Sequence, residues 1–304
     1  MYLEHFKLTK SPFALTPNTE FYCELPGHQE ALNVLLISLQ SGEGFIKIVG
    51  EVGTGKTLLC RLLLNKLDEN YVTAYIPNPD LTPDGLRVAL AHELGLDTNE
   101  NVNQHQLLER INERLLQHYQ SGKRVVLLVD EAQAMSEQSL EALRLFTNLE
   151  TQSAKLLQVV LFGQPELDSK LNAQNLRQLK QRITFSYYLN PLKEQDLNAY
   201  LCHRLAMAGF TYGSLFTRKA KTMLYRASKG LPRLVNILCH KAMLAAYGKG
   251  QFSVDHKAIL RAVDDTESAD LPASRWRSRL LWFGATIVGV SVVLILYWKL
   301  GLLQ

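Results

Sequence analysis

Gly50-Glu51-Val52-Gly53-Thr54-Gly55-Lys56-Thr57 fills the pattern G-x-x-x-x-G-K-[ST], directly after the apolar run Phe45 to Val49 and directly before the helical pattern Lys56 to Leu67. A strand, a glycine-rich turn and a helix in that order constrain the chain more than any other feature. Glycines let successive backbone N–H groups curl around phosphate oxygens, and the first turn of the helix adds the positive end of its dipole. Gly50, Val52, Gly53, Thr54, Gly55, Lys56, Thr57 and Leu58 are therefore the expected nucleotide-binding residues. Lys56 is expected to reach the β- and γ-phosphates, and the Thr57 hydroxyl to ligate Mg²⁺. The competing reading, a glycine-rich turn with an exposed lysine, leaves the flanking strand and helix unexplained.

A second signal stands at Val125 to Val129, five apolar residues without a polar break, followed by Asp130 and Glu131. Such a run suits a strand covered on both faces, and ligands of open α/β sheets bind at the carboxyl ends of strands. Alone, an acidic strand end is usually a solvated turn. Beside a phosphate loop, Asp130 is expected to hold the Mg²⁺ shell and Glu131 to polarise the water that attacks the γ-phosphate.

Further strands are predicted at Tyr71 to Ile76, Leu156 to Phe162 and Ile183 to Leu189, with helical patterns at Gln104 to Tyr119 and Gln138 to Leu149 between them. Alternation of this kind implies a parallel α/β sheet flanked by helices. From Gln195 to Thr266 only helical patterns remain. The predicted organisation is an N-terminal segment of the ATPase core (1–40), a P-loop αβα domain (41–190), a helical lid (191–268), a basic linker (269–279) and a transmembrane helix (280–298).

That helix is predicted from 19 consecutive uncharged residues, Leu280 to Trp298, where a bilayer needs about 17–25. Trp276, Trp282, Tyr297 and Trp298 sit near its ends, as interfacial rings do. Arg275, Arg277 and Arg279 precede it and only Lys299 follows, so the ATPase side is expected in the cytoplasm, with a short C-terminus across the membrane. These arginines also account for much of the formal net charge of +4, which is thus weak evidence for an anionic partner. No signal peptide is expected at Met1-Tyr2-Leu3-Glu4-His5. Cys23, Cys60, Cys202 and Cys239 are too scattered for a zinc site or a disulfide framework.

Four segments carry a family resemblance: the phosphate loop, Asp130-Glu131-Ala132-Gln133, Phe162-Gly163-Gln164-Pro165-Glu166-Leu167 and Gly230-Leu231-Pro232-Arg233. Over roughly Met1 to Glu267 the chain resembles the ExeA/GspA-type AAA+ ATPases. Ala142 to Glu150 and Leu156 to Leu167 are similar to the branch serving a mannose-sensitive haemagglutinin type IV pilus. The resemblance implies an AAA+ fold, ATP and Mg²⁺ as ligands, a homo-oligomer, and pilus or secretion assembly proteins at the inner membrane as partners. It also implies a polar sensor at Gln164, a second sensor at Arg233, and an N-terminal segment (Ser11 to Tyr22) beside the nucleotide base. Arg182 takes the place of a finger that reaches a neighbour's γ-phosphate, with Arg177 as the alternative. No counterpart to the peptidoglycan-binding region that follows the membrane helix in ExeA is expected, so cell-wall binding is not carried over.

The leading expectation is a membrane-anchored ATPase working in assembly of a pilus or secretion apparatus. The alternatives are a nucleotide-dependent DNA-binding AAA+ protein, for which no basic helix or winged-helix extension speaks, and a nucleotide-gated scaffold with little hydrolysis. Nucleic acid is accordingly not an expected partner.

Overall fold

The computed structural model describes residues 2–98, 103–147 and 154–269. In chain order the elements are α1 (Tyr2–His5), α2 (Pro26–Gln40), β1 (Phe45–Val49), α3 (Lys56–Lys66), β2 (Tyr71–Ile76), α4 (Pro83–Glu93), α5 (Gln104–Gln120), β3 (Arg124–Val129), α6 (Glu137–Phe146), β4 (Leu157–Gly163), α7 (Pro165–Leu171), α8 (Arg177–Arg182), β5 (Ile183–Tyr188), α9 (Glu194–Met207), α10 (Arg218–Ser228), α11 (Pro232–Tyr247) and α12 (His256–Asp264).

All five strands are parallel, in the order β2-β3-β4-β1-β5. Side chains alternate between faces with period two, and both faces are covered. Phe45, Val49, Val125, Leu127, Val129, Leu157, Val159 and Leu161 join the cluster under α4, α5 and α6. Ile46, Ile48, Val126, Leu128, Val160 and Phe162 join the opposite cluster under α2 and α3. Mostly apolar runs in the three central strands are the consequence, with the buried Gln158 interrupting β4. Lys47 breaks the pattern in β1, and its ammonium pairs with Asp168 of α7.

The strand predictions match to within a residue at each end, and the described residues from Glu194 onward are helical apart from one bridge, Phe216 to Val254. The lid helices α9 to α12 form a separate hydrophobic cluster, and the N-terminal stretch belongs to it. Phe6, Leu8, Phe13, Phe21 and Leu25 are buried among Leu201, Leu205, Phe216, Leu238 and Met243. Only α2 of the first forty residues packs on the sheet, through Ala31, Leu32, Leu35 and Leu39. Residues 6–25 contain only a single short 3-10 turn, so their aromatic rings need a partner surface, each gaining about 2–3 kcal/mol on burial. The lid supplies it.

The predicted transmembrane helix at 280–298, nearly all of the basic linker before it and the motif residues Asn148, Leu149 and Glu150 lie outside the described residues. Among the described residues no helix is long and apolar enough to cross a membrane.

Candidate active site

The phosphate loop leaves the carboxyl end of β1, where the Gly50 N–H donates to the Gly163 carbonyl of β4 at 3.2 Å. Thr54 closes the loop on itself, its N–H and hydroxyl both donating to the Glu51 carbonyl, at 3.3 and 2.9 Å. Gly55 stands at the start of α3 with φ of +103°, a conformation that L side chains rarely adopt. A Cβ there would also come within 2.9 Å of His28 Nε2. The N-cap of α3 makes no side-chain hydrogen bond, so the first N–H groups of that helix are left for an anion.

Lys56 is buried and its ammonium donates to the carbonyls of Gly50 (2.7 Å) and Glu51 (2.9 Å). Burial lowers its pKa below the ordinary lysine value, opposed chiefly by the charges of Glu131 and Asp130. Thr57, one residue on, faces the Asp130 carboxylate and helps to hold its pKa down. Asp130 is 2% exposed; burial raises its carboxyl above the usual range, while the Thr57 hydroxyl and the Glu131 N–H pull it back down. A hydroxyl and a carboxylate side by side form an oxygen-only donor pair, which fits Mg²⁺.

Glu131 adopts a left-handed backbone, φ +51° and ψ +38°, at a cost of roughly 1–2 kcal/mol for a residue with a Cβ. Its N–H donates to Asp130 Oδ1 at 3.0 Å. Its Oε2 accepts from Gln164 Nε2 at 3.0 Å and from Gln133 Nε2 at 2.5 Å. Gln164 ends β4 and precedes α7, so the sheet edge itself carries this amide to the acid.

These groups face a cleft of about 280 Å³. Its floor is the loop from Val52 to Leu58, with Glu131 and Gln164 on one side. Pro232, Arg233 and Asn236 of α11 with Tyr200 and Arg204 of α9 form the lid side, and Ala14 to Asn18 form the third wall. Gly50, Thr54 and Asp130 sit behind this surface and hold it in place. The fold thus brings together all the expected nucleotide and metal residues. Arg182 stands apart. It precedes Ile183, which pairs with Phe45 at the end of β1 opposite the loop, and its guanidinium donates to Thr147 Oγ1 at 3.1 Å.

Sequence reasoning assigned no role to four residues here. His28, on α2, places Nε2 2.9 Å from the Thr54 carbonyl. Arg204 donates to the carbonyls of Pro12 (2.6 Å) and Ala14 (3.2 Å), with its guanidinium over the Phe21 ring. The buried Tyr200 hydroxyl donates to Asn236 Oδ1 at 2.9 Å. No local pattern marks these, because each acts on a residue at least 26 positions away.

Comparison with known proteins agrees with this geometry. Residues 39–171 match the family described as the AAA domain. Over 298 residues the chain is 42% identical to general secretion pathway protein A of Aeromonas hydrophila, an alignment that covers 98% of this chain and 54% of the relative. The chain therefore spans about half the length of that relative. Among solved structures, Cdc6p of Pyrobaculum aerophilum superposes with a TM-score of 0.66 at 18% identity, covering 84% of this chain and 70% of that one. The ORC2 protein of Aeropyrum pernix, in ADPNP-ADP complexes, gives 0.61 at 16% identity, covering 86% and 74%. At such identities the likeness is one of fold: a P-loop sheet carrying a helical lid.

Proposed function

We propose that the chain is an AAA-domain ATP hydrolase of the ExeA/GspA type, a membrane-anchored ATPase whose Mg-ATP cycle drives assembly of a type IV pilus or secretion apparatus. The observation that carries the catalytic part is the Glu131 carboxylate, held by the amide of Gln164 at the edge of a cleft floored by the phosphate loop.

In this reading the N–H groups from Val52 to Leu58 hold the phosphates, and Lys56 exchanges its loop carbonyls for phosphate oxygens. Thr57 and Asp130 would hold Mg²⁺, which when bound would supply positive charge beside the phosphates. Glu131 accepts a proton from the attacking water as the water oxygen bonds to the γ-phosphorus; the bond from that phosphorus to the bridging oxygen breaks, and ADP leaves with the electron pair. Gln164 orients Glu131, and Arg233 senses the γ-phosphate from the lid.

The relative's name supports the secretion reading and the uncharged run at 280–298 supports the membrane anchor, while the arginines before that run support an ATPase domain on the cytoplasmic face of the inner membrane. Pilus or secretion proteins there are the proposed partners, with a homo-oligomer as the working form.

Nucleotide binding and steady-state hydrolysis of Lys56→Ala and Glu131→Gln test the cycle. Lys56→Ala should lose ATP affinity, while Glu131→Gln should keep it and stop turnover; equal binding by Lys56→Ala, or sustained turnover by Glu131→Gln, rejects the assignment. Co-purification from detergent-solubilised membranes with the trapped Glu131→Gln protein tests the apparatus: recovery of DNA rather than assembly proteins would reject it.

A further inference from the structure

Gln133, two residues beyond Glu131, ties the acid to the strand end that faces it. Its Nε2 donates to Glu131 Oε2 at 2.5 Å, and its Oε1 accepts from the backbone N–H of Gln164 at 3.0 Å. A backbone N–H can only donate, so the amide oxygen must face Gln164 and the amide nitrogen must face the carboxylate. The turn that carries Gln133 is itself fastened to α7. Lys170 Nζ donates to the main-chain carbonyls of Gln133 and Met135 at 2.5 and 2.8 Å.

Glu131 needs such ties. Its left-handed backbone is not a conformation the residue keeps unaided, and its half-buried side chain stands at the edge of the cleft. Two amide donors, from Gln133 and Gln164, converge on Oε2. Among the described residues no donor meets Oε1, which is thereby the oxygen free to take a proton.

We propose that Gln133 is a positioning residue for ATP hydrolysis: through one amide it sets the direction of the Glu131 carboxylate and the distance between that carboxylate and Gln164. This rests on Glu131 being the base that activates water. Gln133 touches no substrate and acts through its neighbour. Its loss should therefore appear in kcat and leave ATP binding alone.

The test uses the full-length chain with Gln133→Glu and Gln133→Ala, each in the wild-type and Glu131→Gln backgrounds. Gln133→Glu has the shape of the native side chain and still accepts from Gln164 N–H, but it replaces the donor with a second carboxylate facing Glu131. Its kcat should fall about 10–100-fold, the range seen when a supporting hydrogen bond to a reactive group is removed, with the Kd for ATP within about twofold. Gln133→Ala should fall similarly, and should not slow the residual rate of Glu131→Gln, because two residues acting as one unit are not additive. Wild-type kcat in both Gln133 variants, or an equal loss in both backgrounds, overturns the proposal. If either variant fails to bind ATP with native affinity while retaining kcat at saturation, Gln133 is structural and the proposal also falls. Full turnover by Glu131→Gln would instead remove the base assignment on which it rests, an outcome read from a different protein.

Discussion

The backbone N–H of Arg233 donates to the Gly53 carbonyl at 3.1 Å, so the first turn of the lid helix α11 rests on the phosphate loop. Lid and loop are in direct contact, and a change in one is felt by the other without an intermediary. Gly53 has φ of +83°, and a Cβ on it would lie 2.7 Å from the Arg233 Cβ. Gly53→Ala should therefore lower stability by about 1–3 kcal/mol, from the left-handed backbone and the displaced lid together. It should weaken ATP binding as well. Thermal unfolding and nucleotide titration check this; native values for both would mean that the lid does not bear on the loop.

Arg204 joins the N-terminal stretch to the lid through the carbonyls of Pro12 and Ala14. Arg204→Met keeps most of the side-chain volume but leaves two acceptors without donors, at about 1–3 kcal/mol. Limited proteolysis should then cut within residues 6–25 sooner than in the native chain. ATP affinity should drop roughly tenfold, since about 1.4 kcal/mol is a factor of ten, with kcat at saturation within about twofold. Unchanged proteolysis and affinity would remove the third wall of the cleft from any role in binding.

His28 gives the phosphate loop a pH dependence. A carbonyl only accepts, so the Nε2 facing Thr54 carries the hydrogen. Burial holds the imidazole below its ordinary pKa, partly offset by that hydrogen bond. Between the depressed folded value and about 6.5, the unfolded chain binds a proton that the folded chain does not, so stability rises with pH across that window. This contribution is intact above about pH 6.5 and is eroded as pH falls below it. Gln can donate to the same carbonyl without titrating. Chemical denaturation at pH 7.5 and 5.5 should show a smaller loss on acidification for His28→Gln than for the native chain; identical losses would place the acid sensitivity elsewhere.

Arg182 lies at the end of the sheet away from its own phosphate loop, bonded to Thr147 Oγ1 at the C-cap of α6. A finger there can serve only a neighbouring subunit. Arg182→Ala should slow hydrolysis by about 10³-fold or more with ATP affinity nearly intact. Mixing it with Glu131→Gln, each inactive alone, should restore part of the activity at interfaces pairing an intact Glu131 with an intact Arg182. If the two variants co-assemble and no activity returns, the role passes to Arg177.

The elements were legible in the sequence because their causes are local. The apolar runs at Phe45 and Val125 reflect strands buried on both faces, and Gly53 and Gly55 reflect a loop whose backbone takes positive φ at those positions. Arg182 and Arg233 needed the family resemblance, since an arginine before a strand or after a proline has no local signature. Asp130 and Glu131 needed the phosphate loop for their meaning.

The sequence by itself determined the strands, the phosphate loop and the helical stretch from Gln195 to Thr266, because strand burial, turn chemistry and helix periodicity are each written within a few neighbouring residues. Only the tertiary structure decided that Phe6, Phe13 and Phe21 complete the lid's core, that His28 supports Thr54, and that Gln133 joins Glu131 to Gln164. Those contacts depend on where separate elements come to rest against one another, and a side chain's hydrogen-bonding partner 31 residues away, as Gln164 is from Gln133, leaves no periodic trace in the chain.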